Sequence, residues 1–168
     1  MEHSITPSLI SIIIPVFNAE RTLPQCLDGL FHSSDQDFEV ILVDDASSDR
    51  SLDIARDYPI RCFQLPVNQG ANHARNYGAR YARGSILLFI DADIVIRPGI
   101  PARIREKMAD SSISAVVGVY SGDESDQGLV TRYKNHWIRF SYCLYQVPID
   151  WIFGSITAMR KETFDRTH

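Results

Sequence analysis

Cysteine is scarce: Cys26, Cys62 and Cys143 are the only three in 168 residues, and they lie far apart. They form no C-x-x-C pair and no disulfide framework, a usage that suits a reducing, cytoplasmic setting. No apolar run approaches the roughly 18 residues of a membrane span. The opening octet "MEHSITPS" carries no signal-peptide pattern. An excess of basic charge is missing too. The 17 Lys and Arg stand against 21 Asp and Glu, a formal net charge of −4, so nothing global points to nucleic acid. The five histidines show no ligand spacing, which argues against a zinc site; His73 reads as helix surface. Glycine is absent from "PVFNAERT", the turn after the first apolar run. That removes the G-x-G-x-x-G fingerprint of a dehydrogenase and the glycine-rich basic loop of a sugar-nucleotide pyrophosphorylase. There is no internal repeat and no low-complexity segment. The length suits one domain with a real core and is too short to expect two.

What is present alternates. "LISIIIPV" (9–16) is a continuous Ile-rich run, as a strand buried on both faces should be. Residues 19–31 follow at helical spacing through Leu23, Leu27, Leu30 and Phe31. "FEVILVDD" (38–45) is a second strand, and residues 47–58 a second helix, with Ser47 or Ser48 expected as its N-cap. A weaker third strand covers 60–65. The helix over 70–82 offers a small-residue face of Ala71, Ala74, Gly78 and Ala82. A strand over 85–91, a helix over 98–110 and a strand over 113–120 complete the series. Strand alternating with helix implies right-handed crossovers and a parallel sheet, a Rossmann-like α/β layer sandwich.

Such a sheet binds ligands beyond the carboxyl ends of its strands. Three polar clusters fall at that rim: Pro15 to Asn18 after the first strand, Asp44 and Asp45 at the end of the second, and Asp91 and Asp93 at the end of the fourth. Asp44 and Asp45 can serve as turn and capping residues, and Asp91 and Asp93 can cap the next loop. Two carboxylates at i and i+2, with small Ala92 between them, can also point the same way once the strand bends. Magnesium takes one or two such carboxylates together with phosphate oxygens. A D-x-D pair also marks haloacid-dehalogenase-type phosphatases, but on the first strand and before a small Gly-Thr-type turn; here it sits on the fourth and Ile94-Val95 follow.

Together, "SIIIPVFNAERTLPQCLDGL", "FEVILVDDASSDRSLDIA" and "NQGANHARNYGARYARGSILLFIDADI" resemble the inverting nucleotide-sugar glycosyltransferases of family 2, which have the GT-A fold. The resemblance runs from about Leu9 to Gly99, and "WIFGSITAMRKETF" (151–164) is similar to the family's later strand on the acceptor side. It implies a single GT-A domain over 1–168, a mainly parallel three-layer sandwich. It also implies transfer of a sugar from a nucleotide-diphosphate sugar donor to a saccharide or polyprenyl-linked acceptor, as in cell-envelope polysaccharide synthesis. Pro15, Phe17 and Asn18 would line the nucleotide pocket. Asp45 would contact the nucleobase, since a carboxylate only accepts and uracil or guanine ring N–H groups donate. Arg75 would help hold the nucleotide. Asp93 would ligate Mg2+ or Mn2+ on the diphosphate, with Asp91 beside it at the ribose or a metal-bound water. A non-catalytic nucleotide-sugar binding module would keep these same motifs.

The resemblance further implies that the catalytic base follows a glycine-rich turn beyond the last strand. The sequence ends at His168, so the base is expected outside it and the chain is read as a truncated domain lacking part of its acceptor side. Asp150 and Asp165 are the late carboxylates that remain. An unfinished acceptor side would leave apolar surface exposed and favour self-association. Finally, residues 128–145 carry Arg132, Lys134 and Arg139, no acid, and Trp137, Phe140 and Tyr142 among the cations. Such a segment is either a core-packed helix with charged edges or a peripheral contact with the cytoplasmic face of a membrane.

Overall fold

The computed structural model describes residues 9–32, 37–119, 137, 140 and 155–167. Two compact units are distinguished, Met1–Val116 with Ser155–His168, and Val117–Gly154.

The first unit is organised around β1 (Ile10–Val16), every residue of which is buried. Ile10, Ile12, Ile14 and Val16 face one way, against Leu23, Leu27 and Leu30 of α1 (Leu23–Phe31). Ile13 faces the other way, against Leu87, Phe89 and Phe164. A strand covered on both faces favours apolar residues throughout, which is why the run is rich in isoleucine. Its one polar side chain, Ser11, is buried with its hydroxyl hydrogen-bonded to Glu39 and to the Gly84 N–H. β2 (Phe38–Asp44) lies parallel to β1, in register from Ile10↔Phe38 to Val16↔Asp44. Beyond it come α2 (Ser51–Arg56) and the edge strand β3 (Arg61–Gln64). The chain then returns through α3 (Ala71–Arg80) to β4 (Ile86–Ile90) on the other side of β1. α4 (Ile100–Met108), β5 (Ala115–Val117), β6 (Ile156–Arg160) and α5 (Lys161–Arg166) follow. The sheet order is β3-β2-β1-β4-β6-β5. β6 runs antiparallel to β4, so the sheet is parallel on one side and mixed on the other.

This order makes β1 and β4 the switch point, with α1 and α2 on one face and α3 on the other. β1 stays in register with β2 up to Val16, but with β4 only up to Ile13. The strand tops therefore part between β1 and β4, the crevice where doubly wound sheets take ligands. α3 packs close because Gly78 has no side chain. A Cβ there would lie 2.7 Å from Ile13 Cγ2 and 3.1 Å from Val43 Cγ2. Ala74 and Gly78 of the expected small-residue face are buried and Ala82 half-buried, while Ala71 is exposed in the first turn.

One expectation fails. α2 starts at Ser51, not at Ser47 or Ser48, and neither serine caps it; Arg50 occupies the N-cap position with no side-chain cap. Both serines are engaged with Asn18 of the preceding rim loop. Arg160, at the end of β6, has a structural task. Its guanidinium donates to the carbonyls of Met108 and Asp110 at 2.7 and 2.8 Å and to that of Ile113 at 3.0 Å, closing the exit of α4.

The lower rim, at the strand N-termini, is held by Glu39. Its carboxylate accepts from Ser11 Oγ at 2.6 Å, from the Arg83 backbone N–H at 2.6 Å and from Arg61 at 3.1 Å. Burial alone would raise the Glu39 pKa, but these donors outweigh it and hold it below the ordinary value of 4.5. The folded state therefore binds fewer protons than the unfolded one. Its contribution is present above the unfolded value and is lost as pH falls through the folded pKa. Glu39→Gln should lower stability near neutral pH by about 1–2 kcal/mol. In thermal melts, the gap from wild type should close as the pH drops below 4.5; a gap independent of pH would contradict this assignment.

Candidate functional site

At the top of β2 the two aspartates take different parts. Asp44 is fully buried; its Oδ1 accepts the Ser47 N–H at 3.2 Å, and its Oδ2 has no hydrogen-bond partner among the described residues. The turn-residue reading holds for this position. Asp45 is 2% exposed. Its own N–H donates to the Val16 carbonyl at 2.7 Å. Its two oxygens accept the N–H groups of Gln69 at 2.9 Å and Gly70 at 2.7 Å, just before α3. Gly70 has φ of 90°, and a Cβ there would meet nothing within 4 Å, so it is the backbone angle and not space that calls for glycine there. Each Asp45 oxygen retains a second lone pair.

Beside Asp45, Pro15 is buried at the top of β1, and Phe17 emerges from the sheet with 51% of its surface exposed. Asn18 adopts a left-handed backbone, φ 50°. Its N–H donates to Ser47 Oγ at 2.9 Å, and its Oδ1 accepts the Ser48 N–H at 2.8 Å. The loops that follow β1 and β2 are thus joined.

Across the crevice β4 stops at Ile90, and the chain turns at once, with the Ile94 N–H donating to the Asp91 carbonyl at 3.0 Å. The carboxylates of "DAD" are therefore not buried mid-strand. Asp91 is half-buried. Its N–H donates to the Ser155 carbonyl at 3.0 Å, and its Oδ1 is ion-paired with Arg75 Nη2. Arg75 reaches it from the middle of α3, with its other terminal nitrogen donating to Asn72 Oδ1 at 2.8 Å. Asp93 is exposed, and among the described residues no group engages its carboxylate. Behind the turn the Cys26 thiol lies 3.8 Å from the Asp91 carbonyl. Burial, then the charges of Asp93 and Asp91, push its pKa up to about 12, so it stays a neutral packing group. Gly29 lets α1 approach the same turn: a Cβ there would lie 2.9 Å from Val95 Cγ1 and 3.3 Å from the Ile96 carbonyl oxygen.

This donor set fits a hard divalent cation of the magnesium type. Among the described residues no three His, Cys, Asp or Glu side chains cluster into a protein-only cage. One unengaged carboxylate, with a second tied to arginine, leaves most coordination positions to phosphate oxygens and water.

The candidate residues thus fall at one rim, with Arg75 brought to Asp91 through a contact between elements. Asp165 is not among them. Arg160, just before α5, pairs with Ile86 at the start of β4, the strand end opposite Asp91, and the Asp165 carboxylate binds Lys161 Nζ at 3.1 and 3.2 Å. Asp150 and most of 128–145 lie outside the described residues. In that segment Trp137 and Phe140 are 59% and 56% exposed, with ring centroids 6.5 Å apart. Sequence reasoning missed Asn72 as the partner of Arg75. The signal was its i−3 position on the same helix, which puts the two side chains side by side.

The two acidic positions should respond differently to truncation. Asp45→Ala removes a buried acceptor of two backbone N–H groups and should cost about 2–4 kcal/mol in denaturant unfolding. Asp93→Ala should change stability by less than about 0.5 kcal/mol. Equal losses at both sites would contradict the assigned environments.

Known proteins agree with this architecture. The mannosyltransferase PcManGT of Pyrobaculum calidifontis, solved with GDP-Man and Mn2+, superposes with a TM-score of 0.73 at 23% identity, over 94% of this chain and 46% of that one. Staphylococcus aureus TarS 1–349, solved with UDP-GlcNAc, gives 0.70 at 21% identity, over 94% and 47%. These likenesses establish the GT-A fold. The uncharacterized glycosyltransferase EpsJ of Bacillus subtilis is 34% identical over 123 residues, 71% of this chain and 36% of EpsJ. The chain therefore spans less than half the length of each of these three proteins. With the sequence profile of glycosyl transferase family 2 matching residues 11–165, the chain belongs to that family.

Proposed function

We propose that this chain forms the donor-binding part of an inverting glycosyltransferase that moves a sugar from a nucleotide-diphosphate sugar to a saccharide or polyprenyl-linked acceptor. The observation that carries it is the convergence on one rim of an exposed aromatic, Phe17, an acceptor-only carboxylate, Asp45, a guanidinium, Arg75, and an unengaged carboxylate, Asp93. Their chemistries match, in order, a base, its ring N–H, a phosphate and a phosphate-bound cation.

In this reading the nucleoside lies against Pro15, Phe17 and Asn18. Asp45 uses its remaining lone pairs to accept the ring N–H of uracil, guanine or thymine. Arg75 meets the diphosphate as a planar fork of donors, held at the correct height by Asn72 and Asp91. Asp93, with Asp91 beside it, would hold Mg2+ or Mn2+. When bound, that cation supplies Lewis-acid neutralisation of the charge that develops on the departing diphosphate. Mn2+ in PcManGT, a protein of the same fold, supports the choice. Inversion requires a carboxylate base on the opposite face of the sugar to deprotonate the acceptor hydroxyl. The Lys161 pairing of Asp165, and its tether at the far end of β4, support a base supplied from elsewhere on the acceptor side.

No helix among the described residues is long and apolar enough to cross a membrane. We place the protein in the cytoplasm, with residues 128–145 touching the inner membrane face. The exposed Trp137 and Phe140, interleaved in the sequence with Arg132, Lys134 and Arg139, support that contact.

The test is a thermal-shift panel of UDP, GDP and dTDP with and without Mn2+. At least one diphosphate should raise the melting temperature in a metal-dependent way, and Asp93→Ala should abolish that rise without changing the melting temperature of the free protein. If no diphosphate shifts the melting point, the donor-site reading fails.

A further inference from the structure

The loops after β1 and β2 are cross-braced in a way that neither the nucleotide contacts nor the cation site explains. Three successive backbone N–H groups of the first loop are received by three side chains of the second. Asn18 N–H donates to Ser47 Oγ at 2.9 Å, Ala19 N–H to Ser51 Oγ at 2.8 Å, and Glu20 N–H to Asp49 Oδ2 at 3.0 Å. The second loop also donates back, from Ser48 N–H to Asn18 Oδ1 at 2.8 Å and from Arg50 N–H to Glu20 Oε2 at 3.2 Å. Asp49 is the keystone. Its Oδ1 accepts both the N–H of Ser51 at 2.9 Å and the Oγ–H of Ser51 at 2.6 Å. That second bond turns the hydroxyl of the fully buried Ser51 so that its lone pairs meet Ala19 N–H.

The brace has something to hold. Each loop contains one non-glycine residue in the left-handed region, Asn18 at φ 50° and Ala46 at φ 63°. Asparagine tolerates that region and alanine has no side-chain compensation, so the second turn in particular persists only where its surroundings over-determine it. Phe17 sits immediately before Asn18, and Asp45 immediately before Ala46. Two of the side chains assigned to the nucleoside, Phe17 and Asp45, thus each precede a residue in the left-handed region, and the brace fixes the spacing between them.

We propose that Asp49 and Ser51 are positioning residues of the donor site, which touch no ligand and set the gap between Phe17 and Asp45 that a nucleobase enters. This inference rests on the donor-site reading above and adds to it the device that preorganises the base pocket. The diphosphate end, built from Arg75, Asp91 and Asp93 on α3 and the turn after β4, is outside the brace. Loosening the brace therefore weakens recognition of the nucleoside while sparing that of the diphosphate.

The experiment uses the full chain with Asp49→Ala, Asp49→Asn and Ser51→Ala. Titrations compare UDP, GDP and dTDP with inorganic pyrophosphate, all in Mn2+, and amide hydrogen exchange is followed at Asn18, Ala19 and Glu20. Exchange at these amides should accelerate. The dissociation constant of the nucleoside diphosphate bound by wild type should rise roughly tenfold, the scale of one to two lost hydrogen bonds. Pyrophosphate affinity should stay unchanged, and Asp49→Asn, which keeps one acceptor oxygen, should fall between. If Asp49→Ala does not fold, the two milder variants carry the test. Accelerated exchange with unchanged nucleoside diphosphate affinity would reduce the brace to a loop tie and overturn the proposal, as would equal losses for pyrophosphate. Wild type that binds pyrophosphate but no nucleoside diphosphate would instead sink the donor-site reading, and this inference with it.

Discussion

Asp45 carries a carboxylate into a place with almost no water, which is costly for a charged group unless donors meet it. Two backbone N–H groups, those of Gln69 and Gly70, do so, while its own N–H is fixed to the Val16 carbonyl. One residue therefore ties the top of β1, the top of β2 and the entry of α3. The rest of the rim depends on that tie. α3 enters at an angle set by Gly70, packs onto β1 and β2 through Gly78, and so delivers Arg75 to the far side of the crevice, where Asp91 waits. A carboxylate that fastens three backbone segments is also a rigid acceptor. In the proposed donor site that rigidity would lower the ordering cost of binding a base.

The D-x-D turn divides its labour by partner, not by sequence. Asp91 is neutralised by Arg75 and is half-buried; Asp93, two residues on, is exposed and unengaged. Coulomb attraction at close range keeps the first carboxylate and the guanidinium together. The second is left free to take a cation. Arg75 in turn has its orientation fixed from both sides by Asn72 and Asp91. In the proposed donor site this arrangement supplies charge of both signs to a diphosphate without rearranging the backbone.

Much of this could be read from the sequence, for a physical reason. Burial on both faces favours long apolar runs, so β1, β2 and β4 announced themselves, and the polar residues that stop each run marked the rim. Small residues at Ala74 and Gly78 foretold close helix packing. What could not be read was set by contacts distant along the chain. Ser47 and Ser48 have the chemistry of N-caps, yet they bind Asn18, some 30 positions earlier, and α2 starts later for it. Arg160 looks like an ordinary strand-end cation and in fact closes α4 through carbonyls about 50 positions away. The antiparallel course of β6 is likewise a matter of where the chain returns, which local periodicity does not encode. Asp49 falls within the helix expected over 47–58, and only its geometry against Ser51 and Glu20 shows what it holds.

In the proposed donor site the rim takes a divalent cation and a nucleoside diphosphate as a unit, since the described residues contain no three-ligand cage and, of the D-x-D pair, Asp93 is the carboxylate with no partner among them. Electron paramagnetic resonance of Mn2+ measures this directly, because the sharp signal of the free ion fades when it binds. With protein alone the free-ion signal should persist. With protein and the matching nucleoside diphosphate it should fall well below that of the diphosphate and Mn2+ without protein, and Asp93→Ala should restore it. Tight Mn2+ binding in the absence of nucleotide, or loss of signal undiminished in Asp93→Ala, would contradict the account.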